Sequence, residues 1–241
     1  HFVIYYHQGE ERIASRLAGM VEAVRRDVAA RLALDAPRQT HVVLVNQTDV
    51  SNGWSTPLPY NTIEIAATPP PLTSLLGNDD DWLRLVLVHE YTHIVQLDRV
   101  GGWMRIVRGT LGRNPLSFPN LFLPAWQVEG VATYTESALT GRGRVGAVET
   151  RAILDEIAAG GRLMPIDRVG GGLVAWPGGN APYFYGGAFN DYVASRFGSD
   201  RLGQLARATA SRLPFFGEGA FTSVFGASSR TLWNQFQAQR A

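Results

Sequence analysis

The chain has 241 residues, 45% of them hydrophobic and 18% charged, which is enough apolar content to bury a sizeable core and unlike a disordered segment. Its net charge of +1 marks no bulk attraction to nucleic acid or to a membrane surface. Cysteine is absent, so a disulfide scaffold, an iron–sulfur site, a thiolate zinc knuckle and a cysteine nucleophile are all excluded, and any metal must be held by His, Asp or Glu.

In chain order, Phe2 to Tyr6 reads as a short strand. Between Glu10 and Leu34, the apolar residues Ile13, Leu17, Met20, Val21, Val24, Val28 and Leu32 recur at three- and four-residue steps and predict an amphipathic helix. His41 to Asn46 reads as a buried strand, Asn52-Gly53 as a turn, and Thr62 to Ala66 as an alternating strand closed by Pro69, Pro70 and Pro71. Asp79, Asp80 and Asp81 precede an apolar run from Trp82 to Leu97. They suit the start of a helix that ends at Gly101-Gly102, with calcium binding as the lesser reading. Residues 103–123 read as irregular. Further helices are predicted near 124–140, 147–159, 187–197, 199–212 and 228–239, with a long Gly- and Pro-rich loop over 160–182. This is an α+β layout in one domain over 1–241. A small mixed sheet with helices fills 1–100, and a mainly helical part fills 101–241.

No apolar run is long enough to cross a bilayer, because Leu116 to Trp126 is interrupted by Pro119 and Pro124. The aromatic residues from Phe118 to Trp126 suit contact with substrate or a partner domain, and core packing equally. Gly170 to Gly172 and Gly178-Gly179 lack the following Lys-Ser/Thr of a phosphate loop and read as part of a mobile loop over a cleft. The chain starts at His1, which reads as a processed or trimmed piece of a longer protein.

The chemistry-bearing motif is His89-Glu90-Tyr91-Thr92-His93, an H-E-x-x-H sequence within the strongest predicted helix. Spacing of four puts both imidazoles on one helix face, so two nitrogens reach one ion, and zinc favours such ligands in an open site. Glu90, about 100° around the helix, can then serve a water activated at the metal as general base and later as acid. No histidine follows His93, so a downstream third ligand must be a carboxylate. Glu129, on a second predicted helix and followed by Gly130, is the best candidate. Glu136 and Asp155 remain alternatives.

His89 to His93 followed by Pro124 to Glu136 (PAWQVEGVATYTE) resembles gluzincin metallopeptidases of the peptidase MA-like superfamily. The weaker similarities are Phe2 to Tyr6, Asp49 to Pro59, Thr62 to Ile65, Tyr183 to Phe189, and Ala220 to Trp233. The resemblance implies a zincin-like fold with the active-site helix between the two parts, and one Zn²⁺ held by His89, His93 and Glu129. It implies peptide-bond hydrolysis with Glu90 as base and a substrate backbone added to the strand edge at Thr62–Ala66. An oxyanion-stabilising tyrosine is also implied, expected at Tyr185 with Tyr183 in reserve. Thr133 stands where thermolysin-like gluzincins carry the Asp that orients an imidazole. Glu136, Asn190 or a backbone carbonyl must then take that part. The family's domains often precede a β-propeller in exported bacterial proteins, so export and such a partner domain are expectations, together with a peptide or protein substrate and no nucleic acid. A catalytically silent zinc module that captures a peptide or domain is the rival from another class. A hydrolase of non-peptide amides would use the same residues.

Overall fold

The computed structural model describes residues 1–71, 81–170 and 176–240. The N-terminal third is a four-stranded sheet of order β1-β2-β4-β3, formed by β1 (Phe2–Tyr5), β2 (Thr40–Val45), β3 (Gly53–Thr56) and β4 (Thr62–Ala66). A long helix, α1 (Glu11–Arg31), crosses from β1 to β2, which pair in parallel with Phe2 opposite Thr40. β2 and β4 are also parallel, with His41 opposite Thr62, whereas β3 runs antiparallel to β4 with Gly53 opposite Ile65.

The predicted edge at Thr62–Ala66 is therefore corrected. β4 is an interior strand with neighbours on both sides, and the edge is β3, where Asn52-Gly53 reads as a turn in the sequence. Its physical reason is close approach. A Cβ on Gly53 would stand 2.5 Å from Cγ2 of Val86 and 2.7 Å from Oε1 of Glu90. What looks like a turn glycine is the residue that lets a strand press against a helix.

Period-two alternation turns Val42, Leu44, Ile63 and Ile65 inward, into the same core as Leu17, Val21, Val24 and Val28 of α1. Next comes α2 (Trp82–Leu97), buried on nearly every side. Its all-round apolar character is that of a helix threaded through the core. Each fully buried Leu or Val there contributes about 1.5–3 kcal/mol. Asp81 caps it, accepting from the Arg84 amide at 3.1 Å, as the helix-start reading predicts. Asp79 and Asp80 lie outside the described residues.

The rest is helical: α3 (Met104–Leu111), α4 (Ala125–Thr140), α5 (Val148–Ala159), α6 (Ala181–Phe197), α7 (Asp200–Thr209), α8 (Glu218–Phe225) and α9 (Ser229–Arg240). α3 and α8 were not foreseen. Both are only eight residues long, and α3 buries Met104 alone, so each is too short a window to mark a helix in sequence. α6 begins six residues before its predicted start, because Gly186 and Gly187 serve helix packing rather than a break. A Cβ on Gly130 of α4 would stand 2.5 Å from the Gly186 carbonyl oxygen. The two helices touch backbone to backbone there, which locks α4, and Glu129 with it, in place. Trp126 packs into an aromatic cluster with Phe189 (5.6 Å) and Phe221 (6.1 Å), so the core reading holds at that residue. Among the described residues, no helix is long and apolar enough to cross a membrane.

Candidate metal centre

His89 and His93 project from one face of α2, with ring planes at 84° and Nε2 atoms 3.2 Å apart. From α4, Oε2 of Glu129 lies 3.3 Å from each of those nitrogens. Whether this donor set fits an ion can be tested by geometry. A tetrahedral ion about 2.0–2.1 Å from each donor requires donor–donor edges of about 3.3 Å, and the three observed edges agree. Two imidazoles and one carboxylate, converging and mostly buried, can therefore hold a metal ion. Glu129 is the carboxylate that converges. Asp155 instead pairs with Arg240 at 3.3 Å near the C-terminus, and Glu136 serves a different role.

Glu136 sits two turns after Glu129 on the same side of α4, fully buried, and its Oε2 meets Nδ1 of His89 at 2.7 Å. It thereby turns Nε2 toward the other donors, the part left open by Thr133. Asn190 does not reach the imidazoles; its amide donates to the Gly186 carbonyl at 2.8 Å. Nδ1 of His93 is buried with no hydrogen-bond partner among the described residues. Only one of the two rings is thus oriented by a carboxylate. Burial disfavours a charged His89, but its hydrogen bonds to the Glu129 and Glu136 carboxylates, aided by the Glu136 charge, outweigh it and raise its pKa to about 9. Burial pushes the Glu129 carboxyl up, yet the two imidazoles hold it well below the usual range.

Glu90 leaves α2 beside this triangle and faces β3. Oγ of Ser55 donates to its Oε2 at 2.8 Å. The donors open into a cavity of about 360 Å³, with Ser51 to Ser55 on one side and Glu129, Arg144 and Tyr183 opposite. The backbone of the edge strand β3 thus lines the site.

The structure does not bring the expected tyrosine to the donors. Tyr185 is fully buried, with its ring 6.1 Å from that of Trp233, and it does not line the cavity. Tyr183 and Tyr185 are two residues apart, about 200° around α6, so only one of them can face the donors. Tyr183 does so, with its ring 6.1 Å from that of His89. Burial and the nearby Glu129 charge push its hydroxyl up to about 12, so it stays protonated.

Sequence reasoning missed Ser55 and Arg144. Arg144 arrives on a loop after α4, where Gly141 and Gly143 take positive φ values of 71° and 83° and turn the chain back. No local pattern marks that return. The glycine-rich loop expected over the cleft lies in part outside the described residues, at 171–175. Gly178–Asn180 forms a 3-10 turn leading into α6.

No family model matches the chain. It is similar to an uncharacterized protein of Treponema pallidum (strain Nichols), at 27% identity over 238 residues, which cover 98% of this chain and 21% of that protein. The chain therefore spans about a fifth of the length of the relative it matches.

Proposed function

We propose that the protein is a zinc-dependent peptidase of the gluzincin kind, with His89, His93 and Glu129 holding the metal. One observation carries this reading: three donors at tetrahedral edge lengths share a cavity with a buried carboxylate, Glu90, that is not among them. A metal-binding module needs the three donors; it does not need Glu90. Two nitrogens and one oxygen with an open side suit Zn²⁺. When bound, the ion supplies Lewis acidity toward a water and the scissile carbonyl.

The chain's own residues supply the rest. Glu90 takes the proton of the attacking water and passes it to the leaving amine. Ser55 donates to Glu90 and holds its carboxylate in one rotamer, while Glu136 holds His89. The protonated hydroxyl of Tyr183 donates to the oxygen that gains charge as the carbonyl is attacked. β3 offers an extended substrate an unpaired strand edge beside Glu90. Export and a β-propeller beyond this chain belong to the same proposal.

The test compares wild type with Glu90→Gln after zinc loading. Both should bind one Zn²⁺ per chain by metal analysis. Cleavage of casein should fall by about 10²- to 10⁴-fold in the variant. Equal rates in the two proteins would overturn the mechanism. Zinc binding by wild type without turnover of casein or of a broad peptide library would favour the silent module.

A further inference from the structure

Among the described residues, Arg144 is the arginine that lines the cavity, and neither the metal site nor the proton transfer described above uses it. Its guanidinium lies over the ring of Tyr183, 4.7 Å from the centroid, and its side chain is only 16% exposed. The backbone beneath it is fixed, since its amide donates to Oε1 of Glu136 at 3.2 Å. Nη1 faces back toward the donors, 3.6 Å from Oε2 of Glu136, 3.5 Å from Oγ1 of Thr133 and 3.5 Å from Nδ1 of His89. Nε and Nη2 have no acceptor among the described residues. A planar fork held on an aromatic face, with one edge of N–H donors unspent, matches the two oxygens of a carboxylate.

Charge points the same way. Glu90, Glu129 and buried Glu136 would repel an anionic substrate. A divalent ion offsets two of these charges and Arg144 offsets the third, so an incoming carboxylate meets a neutral site with an open guanidinium edge. A purely structural partner for Glu136 would not need to line the cavity.

We propose that Arg144 anchors a substrate carboxylate next to the scissile bond, so that the preferred substrates are peptides bearing either a free C-terminus or an acidic side chain at that place. The assignment rests on the peptidase reading for its chemistry, though not for its binding. Arg144 stands beside a ring of the donor set and a residue spans about 3.3–3.6 Å, so the carboxylate lies within about two residues of the bond that is cut.

The experiment uses one neutral peptide sequence in three forms: free C-terminus, amidated C-terminus, and amidated with a single Asp or Glu walked along the chain. Zinc-loaded wild type, Arg144→Gln and Arg144→Lys are compared by kcat/KM, with zinc content measured in each. In wild type, carboxylate-bearing peptides should be preferred by about 10- to 100-fold over the neutral amide. The preference should collapse toward one in Arg144→Gln and be intermediate in Arg144→Lys, which keeps the charge and loses the fork. Whichever carboxylate form carries the preference identifies the source. Binding of the same peptides to zinc-loaded Glu90→Gln, with and without Arg144→Gln, gives a readout independent of turnover. Carboxylate-dependent binding that needs Arg144, in a protein that cleaves nothing, would sink the peptidase reading and uphold the anchor. Cleavage without carboxylate preference, a preference unchanged in Arg144→Gln, or no binding of the carboxylate peptides would overturn the anchor.

Discussion

The two walls of the cavity are built by different means. On one side, β3 brings its backbone against α2, and Gly53, Ser55 and Glu90 meet within a single layer of contact. On the other, α4, α6 and the loop after α4 converge, and Glu129, Arg144 and Tyr183 come from three separate segments, with Glu136 buried behind them. The histidines stand between. In the proposed reading, the strand wall handles the proton while the helix wall holds the ion and meets the substrate. The division teaches that a site can take its base from a close approach and its ligand from helix packing, and that the two should fail independently.

The largest separation is expected between Glu129→Ala and Glu90→Gln. The first removes one of the three proposed ligands and should abolish stoichiometric zinc binding, measured by metal analysis after dialysis; the second should keep the zinc and lose turnover. Loss of zinc from Glu90→Gln would erase the distinction between the walls. Next comes Glu136→Gln, which weakens the contact that orients His89. A fall of about 10- to 100-fold in zinc affinity is expected from competition with a chelator, and an unchanged affinity would show that α2 alone orients the ring.

Gly53→Val tests the strand wall. Its side chain would collide with Val86 and Glu90, so a stability loss of about 1–3 kcal/mol is expected. Thermal unfolding should move down by about 2–4 °C for each kcal/mol. An unshifted transition would mean that β3 can move away at no cost. The smallest effect belongs to Ser55→Ala, which removes one hydrogen bond to a carboxylate. It should lower kcat by about five- to thirtyfold, with zinc affinity unchanged. A matching loss of zinc would show that the walls are coupled.

Legibility in the sequence follows the same line. α1, β2, α2, α4, α5 and α9 were readable because their apolar spacing and caps are local. β3 was not, because its glycine reads as a turn unless Val86 is known to stand 2.5 Å from the place of a Cβ. Tyr185 was preferred to Tyr183 because the true start of α6, which sets the phase of both rings, depends on packing against α4. Glu136 was visible only as an alternative, although its seven-residue step from Glu129 already placed it on the same helix face.

By itself the sequence determined the α+β layout, the absence of thiol chemistry, and two histidines one helical turn apart with a glutamate beside the first. These are short-range properties, set by composition and by the 3.6-residue repeat. Tertiary structure alone decided which carboxylate completes the donor set, which tyrosine faces it, which strand forms the cleft edge, and that an arginine from a returning loop stands in the cavity. Each depends on how close two distant segments can come. Here the bare backbones of Gly53, Gly130 and Gly186 make that approach possible.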